Sequence, residues 1–529
     1  MSSTTAETSL PARCDVLVIG AGLAGVTSAL LCQRRNPKAR IVLLEASPTR
    51  ETQSTSEPLC PSATQFYSRA LRLDEILARE HLPNVGTHTW FTSDNHKRLD
   101  EMSVVGMEYS GSERAFHVDT ARLANSIEKL AADEGVQTHR GARVTDLDVG
   151  WPVNRVRVQT ALGESHIEAR WLIDASGDET LIAKNLNLCK VLETPGNWSF
   201  SANWSGLQSI DGPALDPGTT CLRASREFAT HYFQADDWNV RICPHVGGGA
   251  SVELTLDLET YGREARGSTP LEIYSRWIRS RAGLRELLQQ AKLDTDSFRC
   301  EKRLDQVIKS RAGRGWFLVG KAAGRLATPQ MAPLERLASE AWFVADQVHG
   351  DLSGSRTESA LIARLRDHNS VTRLADAGIA PELPGHALGF QGDAALFAAQ
   401  FALERGLDRG LFGRRQQNQK QLVRGPRRVL FEYSLRGALA NRLRQLAVSR
   451  QSQGILGQRN DQWTCDLRGS SGFRPLIAAL RLWAQVEYCG LRMSMTPVKS
   501  DTHTPPILEI QSRARAALQS SRDQGGQIG

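Results

Sequence analysis

Three glycines, Gly20, Gly22 and Gly25, stand in the stretch GAGLAG at the spacing GxGxxG. That spacing serves anion binding by the main chain. One glycine permits a tight turn, the next lets backbone approach a pyrophosphate, and the third lets a helix pack close to a strand. The N-terminus of the helix then points its N–H groups at the phosphates. Glu45 lies 25 residues past Gly20. A carboxylate there can accept hydrogen bonds from ribose hydroxyls and would repel a 2′-phosphate. A second small-residue turn, Gly320 to Gly324 in GWFLVGKAAGRLATP, follows an apolar run and places a lysine, Lys321, beside its first glycine.

The elements needed to position these groups are legible around them. Val16–Ile19 is a short apolar run suited to a central parallel strand. Val26, Ala29 and Leu30 recur at helical spacing, and Asn36-Pro37 ends that helix. A second apolar run, Ile41–Leu44, closes on Glu45. This strand–turn–helix–strand order predicts a dinucleotide-binding unit. It does not separate FAD from NAD, and Glu45 disfavours NADP.

The chain has 529 residues, enough for two to four domains. Hydrophobic content of 40% and charged content of 23% are those of a globular protein in water. No apolar run approaches the roughly 18 residues of a transmembrane helix. The polar N-terminus MSSTTAETSLPAR has no signal-peptide core, so a cytoplasmic location is expected. Nine scattered cysteines with no CxxC argue against a disulfide framework and against a zinc site. The net charge is +7, and the excess concentrates between Arg414 and Arg450, where ten basic residues face one acid, Glu432. That segment reads as a solvated helical face or as a docking surface for an acidic partner. Nucleic acid is not expected, since no zinc-finger, RNA-binding or helix-turn-helix pattern occurs.

Further segments carry a resemblance. RAFHVDTARLANSIEKLAADEGVQTHRGARVTDLDV (114–149) combines a helix, a glycine turn and short strands. The strand at Trp171–Ile173 ends in Asp174-Ala175-Ser176-Gly177. The chain resembles the flavin-dependent monooxygenases of two-domain hydroxylase fold, as a divergent member of their tryptophan-halogenase-related branch. DASG is similar to that family's second nucleotide-contacting motif. GWFLVGKAAGRLATP falls where the family has a Gly-Asp pair, small residues and Asp-Pro. Residues 54–92 are similar to the Gly-Glu-Ser segment and the strand behind it. DWNVRICP (237–244) keeps Trp238, Ile242 and Pro244 of a Trp-x-Trp-x-Ile-Pro pattern, with one extra residue. The likeness spans about residues 12 to 345.

The resemblance implies FAD as cofactor. Gly20, Gly22, Ala24, Gly25 and Glu45 would hold its ADP half, Asp174 and Gly177 would face the same side, and Gly320 would approach the flavin end. It implies no metal and assigns no catalytic residue; Glu335 in MAPLE is a candidate glutamate. Two positions depart from the family. Thr120 stands where an arginine usually lies near the flavin, and Lys321 stands where an aspartate usually accepts from the ribityl chain. An ammonium is donor only and cannot replace that acceptor. A halogenase also needs a lysine at its substrate; HLPNVGTHTWF contains none, and Lys97 lies further on. His88, His96, His117, His231 and His245 are available as bases, but each is equally at home in a core or on a surface.

The expected fold is α/β: an FAD-binding Rossmann-type domain, an inserted β-sheet substrate domain and a helical C-terminal region. The flavin domain would comprise 13–190 plus 301–350, with a sheet insertion near 85–115. The substrate-side sheet would occupy 191–300 and the helical region 351–496, between flexible ends at 1–12 and 497–529. The helix expected at 472–493 would pack on the flavin domain or cover the substrate. The function expected is monooxygenation, by hydroxylation, of an aromatic or polyketide-like biosynthetic intermediate. An acidic carrier or partner protein would present it, and a flavin reductase or NAD(P)H would supply electrons. The alternatives are a flavin-dependent halogenase and a degenerate flavoprotein acting as a non-catalytic accessory.

Overall fold

The computed structural model describes residues 9–466 except 51–54, 93, 110–113, 192–196, 211–225, 236–237, 266, 304–305, 325–332, 380–391, 407–437, 439–441, 444, 458–459 and 461–463. In chain order, β1 (Arg13–Ile19) leads through the Leu23–Arg35 helix to β2 (Ile41–Glu45). β3 (Ser56–Leu59) precedes the Pro61–Arg69 and Asp74–Glu80 helices and β4 (Leu82–Pro83). β5 (Gly86–Phe91) and β6 (Ser103–Glu108) pair antiparallel, and β7 (Phe116–Asp119) runs into the Thr120–Asp133 helix. β8 (Gln137–Arg140), β9 (Arg143–Asp148), β10 (Asn154–Thr160) and β11 (Gly163–Asp174) follow. After β12 (Cys189–Val191) come β13 (Asn197–Ser205), β14 (Thr230–Gln234), β15 (Trp238–His245) and β16 (Gly249–Asp257). The Pro270–Ser280 and Ala282–Leu288 helices then lead to β17 (Lys292–Arg303), β18 (Gln306–Ile308), β19 (Ala312–Gly313) and β20 (Trp316–Leu318). Helices Pro333–Leu352, Glu358–Ile379 and Ala394–Gly406 precede β21 (Thr464–Asp466).

The first sheet has the order β19-β20-β11-β1-β2-β8, and β20, β11, β1, β2 and β8 all run parallel. Val16, Leu17 and Val18 are fully buried and Ile19 nearly so, because both faces are covered. A continuous apolar run is the pattern such a strand requires. Val16 and Val18 pack with the Leu23–Arg35, Thr120–Asp133 and Pro333–Leu352 helices, while Leu17 and Ile19 pack with Val156, Val158 and Ile167 on the other side. Register aligns Ile19 with Asp174 and Asp174 with Leu318. The turns GAGLAG, DASGD and GKAAG therefore emerge side by side at the C-terminal ends of three adjacent strands, the end of an open α/β sheet where ligands bind.

The second sheet has the order β17-β13-β16-β15-β14-β5-β6-β21. Its strands alternate strictly. Phe200, Ala202, Trp204, Val240, Ile242, Val252 and Leu254 face the Pro270–Ser280 and Ala282–Leu288 helices. Ser199, Ser201, Asn203, Arg241, Cys243, Ser251 and Glu253 occupy the alternate positions and form a polar face. β3 and β7 lie across that face against β15.

Two expectations need correction. β17 continues the second sheet to Arg303, past the expected boundary at 300, because Glu301, Lys302 and Arg303 pair with Ser199, Trp198 and Asn197. The region from 351 is not purely helical, since β21 adds a strand parallel to β6. Arg281, with extended backbone (φ −93°, ψ 123°), separates the Pro270–Ser280 and Ala282–Leu288 helices. The expected 472–493 helix, the 497–529 tail and most of the basic 414–450 segment lie outside the described residues. Within that segment Arg450 is buried against Asp393 at 2.9 Å, so it is not part of any docking face.

Candidate functional site

The glycine loop is built by contacts that leave no room for side chains, except at one point. Gly20 has φ +101°, and a Cβ there would lie 2.4 Å from the Ala175 carbonyl oxygen. At Gly25 a Cβ would lie 1.8 Å from the Gly20 oxygen, so helix and strand meet across that glycine. Gly22 differs. Its backbone is extended (φ −67°, ψ 176°) and a Cβ would meet nothing within 4 Å. Neither conformation nor protein packing demands glycine there; an open approach for a ligand does. This is the cradle a pyrophosphate needs, and the residues present fit FAD.

Glu45 ends β2, with its carboxylate turned to the loop. Oε2 accepts the Ala21 amide at 2.7 Å and Oε1 accepts the Ser47 amide at 2.9 Å. It thus braces the glycine loop while sitting at the strand end where a ribose is bound in this architecture. Gly177 has φ +67° and open space around it.

Asp174 is a correction. Its side chain does not face a ligand. It is fully buried and accepts from Ser176 N at 3.0 Å, Ser176 Oγ at 2.6 Å and Ile182 N at 2.8 Å. Burial raises its pKa, with the bonds from Ser176 and Ile182 opposing that rise. The carboxylate shapes the DASG turn from within.

Gly320 also has a reason internal to the protein. Its φ is +63° and a Cβ would lie 2.8 Å from the Ala24 Cβ, so the third turn packs directly on the glycine loop. Lys321 points outward, about 59% exposed, with Nζ 3.6 Å from Asp178. It neither enters the cradle nor stands in for an acceptor. Thr120 donates to the Thr55 carbonyl at 3.4 Å and joins β7 to the start of β3. Glu335 is exposed and accepts the Ser62 hydroxyl at 2.6 Å. The Thr328-Pro329 pair lies outside the described residues.

β3 and β7 pair with β4 in a small third sheet, and where they cross the polar face, buried polar groups join them to β15. Arg241 holds Glu57 of β3 in a bidentate pair, with Nη2 at 2.7 Å, and reaches Glu253 at 2.7 Å. The two carboxylates keep its pKa well above the ordinary value against the opposing effect of burial. His117 Nε2 lies 2.8 Å from the Phe228 carbonyl, and Nδ1 lies 3.1 Å from Cys243 Sγ. A carbonyl only accepts, so Nε2 carries the imidazole proton and donates it, while Nδ1 faces the Cys243 sulfur as an acceptor; the thiol also lies within donating distance of Ser56 Oγ, at 3.4 Å. Burial lowers His117 to about 4 and raises Cys243 to about 12, so the pair is neutral and no thiolate nucleophile forms. Next to Arg241 on the same face is Tyr232, paired to it in register, whose hydroxyl makes no hydrogen bond among the described residues. Burial raises its pKa to about 12, leaving a neutral donor. Arg241, Glu57, Glu253 and Tyr232 were not visible as site residues in the sequence. The one signal was the recurrence of polar residues at every second position of ASVELTLD and WNVRICP.

Residues 15–185 match the family model described as FAD dependent oxidoreductase. Over those residues the chain is similar to the FAD-dependent oxidoreductases, and the match falls on the parallel-sheet domain that carries the glycine loop. No curated protein matches it. Among solved structures, the halogenase PltM in complex with phloroglucinol and FAD superposes with a TM-score of 0.64 at 14% identity, over 91% of this chain and 98% of that one. The myxobacterial chondrochloren halogenase CndH gives 0.59 at 18%, over 81% and 98%. The flavin-dependent halogenase CmlS gives 0.59 at 16%, over 89% and 77%. At these identities the likeness is one of fold: a parallel-sheet flavin domain with a second sheet, as in flavin-dependent halogenases. Among the described residues of this oxidoreductase, no helix is long and apolar enough to cross a membrane and no cluster could hold a metal ion.

Proposed function

We propose that this oxidoreductase is a monooxygenase that hydroxylates an aromatic or polyketide-like intermediate. Gly20, Gly22, Ala24, Gly25, Glu45 and Gly177 would hold FAD, with the Gly320–Gly324 turn closing the cradle. Reduced FAD, when bound, would supply the two electrons that activate molecular oxygen; the protein must position the substrate and keep water out. The polar face of the second sheet, beside β3, would serve that positioning. Tyr232 there offers a neutral hydroxyl donor, and the Arg241–Glu57 pair ties this face to the flavin domain.

The observation that favours hydroxylation over halogenation is the absence of lysine from β5, β13, β14, β15 and β16. Lys97 follows β5 in a turn whose Asn95 carbonyl accepts the Ala282 amide, on the opposite, helical side of the sheet. Hydroxylation needs no halide-handling lysine. The three halogenase structures favour the second reading through fold alone. A carrier-tethered substrate, and electrons from a flavin reductase or NAD(P)H, remain parts of the proposal.

The test uses purified protein loaded with FAD, reduced, and exposed to oxygen and an aromatic substrate panel with chloride or bromide. Mass spectrometry separates a product that gains oxygen from one that gains halogen. A halogenated product overturns the hydroxylase reading. A colourless protein that takes up no FAD would mark a non-catalytic accessory instead.

A further inference from the structure

The Gly320–Gly324 turn is tied from behind to an unusual degree. Glu340, nearly fully buried, accepts the Gly320 amide on Oε2 at 2.8 Å. Arg336, one helical turn earlier on the Pro333–Leu352 helix, donates from Nη2 to the carbonyls of Gly320 at 2.8 Å and Gly324 at 3.0 Å. Its Nε lies 3.3 Å from Glu340 Oε1. Arg311, also buried, donates from Nε to the Ala323 carbonyl at 2.6 Å. One amide and three carbonyls of this short turn are thus held by three charged side chains from outside it.

Burying charge is costly unless it is paired and hydrogen-bonded, so such an arrangement must be rigid to persist. Its effect reaches the glycine loop, because Gly320 abuts Ala24. A looser turn would move against the loop that cradles the pyrophosphate.

We propose that Glu340, Arg336 and Arg311 are positioning residues: they fix the Gly320–Gly324 turn against the glycine loop and thereby set FAD affinity without touching the cofactor. This rests on the flavoprotein reading. It also recasts the Lys321 position, since the turn takes its shape from behind and the side chain at 321 is free to face solvent.

The test compares wild type, Glu340→Ala, Glu340→Gln, Arg336→Ala and Val344→Ala. FAD dissociation constants come from flavin fluorescence, and hydrogen exchange of the 318–324 peptide comes from mass spectrometry of the apoprotein. Glu340→Ala and Arg336→Ala should each weaken FAD about tenfold, the size of one lost buried hydrogen bond, and speed exchange in that peptide. Glu340→Gln keeps an acceptor for the Gly320 amide and should lose less, which covers the case that the alanine variant fails to fold. Val344→Ala removes buried methyl groups from the same helix and should lower the melting temperature without the tenfold loss. Equal FAD affinity in all variants, or an equal loss in Val344→Ala, overturns the proposal. A wild type that binds no FAD overturns the flavoprotein reading and the proposal together, whereas a wild type that binds FAD alongside unaffected variants overturns the proposal alone.

Discussion

Alanine substitutions at Gly22 and Gly25 should fail in opposite ways. At Gly25 the new Cβ would sit 1.8 Å from the Gly20 oxygen and 3.4 Å from the Ala175 Cβ. Relief to a tolerable 3.0 Å requires the helix and the loop to part by at least 1.2 Å. Overpacking of this kind costs about 1–3 kcal/mol. It also displaces the loop itself, so the melting temperature and FAD affinity should fall together. At Gly22 the Cβ meets no protein atom and the backbone conformation suits any residue. Removing glycine's freedom in the unfolded chain favours the variant slightly, while alanine caps a helix less well than glycine. The two effects oppose, so stability should stay within about 0.5 kcal/mol. The methyl group would, however, stand where the pyrophosphate approaches. Losing one or two charge-assisted bonds to phosphate costs about 3 kcal/mol, roughly a hundredfold in affinity. Thermal melts of apoprotein and FAD titration by fluorescence read both quantities. Wild-type FAD affinity in Gly22→Ala would refute the reasoning, because the open space at that position would then have no ligand to explain it.

Further outcomes follow from other contacts. Lys321→Ala should leave FAD affinity near wild type, since the exposed pair with Asp178 is worth at most about 1 kcal/mol; a large loss would place the ammonium on the cofactor. Glu57→Gln should lower stability by about 3 kcal/mol through the half-paired Arg241 it leaves behind, as a denaturant midpoint would report. Tyr232→Phe should leave FAD affinity unchanged and raise KM for a hydroxylated substrate, because only a donor is removed. His117 titrates at about 4 when folded and about 6.5 when unfolded. The unfolded chain therefore binds the extra proton between those values, so stability is full above pH 6.5 and falls as pH drops towards 4. The loss from this residue is about 2 kcal/mol at pH 5. Chemical denaturation of wild type and His117→Gln should show the pH slope shrink in the variant.

Much of this architecture was local enough to be read in the sequence. The strand–turn–helix–strand unit from Arg13 to Glu45 depends on apolar runs and glycines a few residues apart, and each of those acts through its neighbours. The need for glycine at 20 and 25 is likewise a property of one loop. What the sequence could not show depends on residues far apart in the chain. Arg241 meets Glu57 across 184 positions, and Arg336 and Glu340 meet the 320 turn from a helix that reads simply as amphipathic. Asp174 looked like a ligand-facing group by its place in a motif, and only packing showed it turned inward to Ser176 and Ile182. Lys321 looked like a defect in the cofactor site until the structure turned it towards Asp178. Periodicity and spacing determine which residues share a strand or a turn. Which way a charged side chain points is decided by the partners that tertiary packing brings within hydrogen-bonding distance, because a buried charge is stable only where those partners meet it.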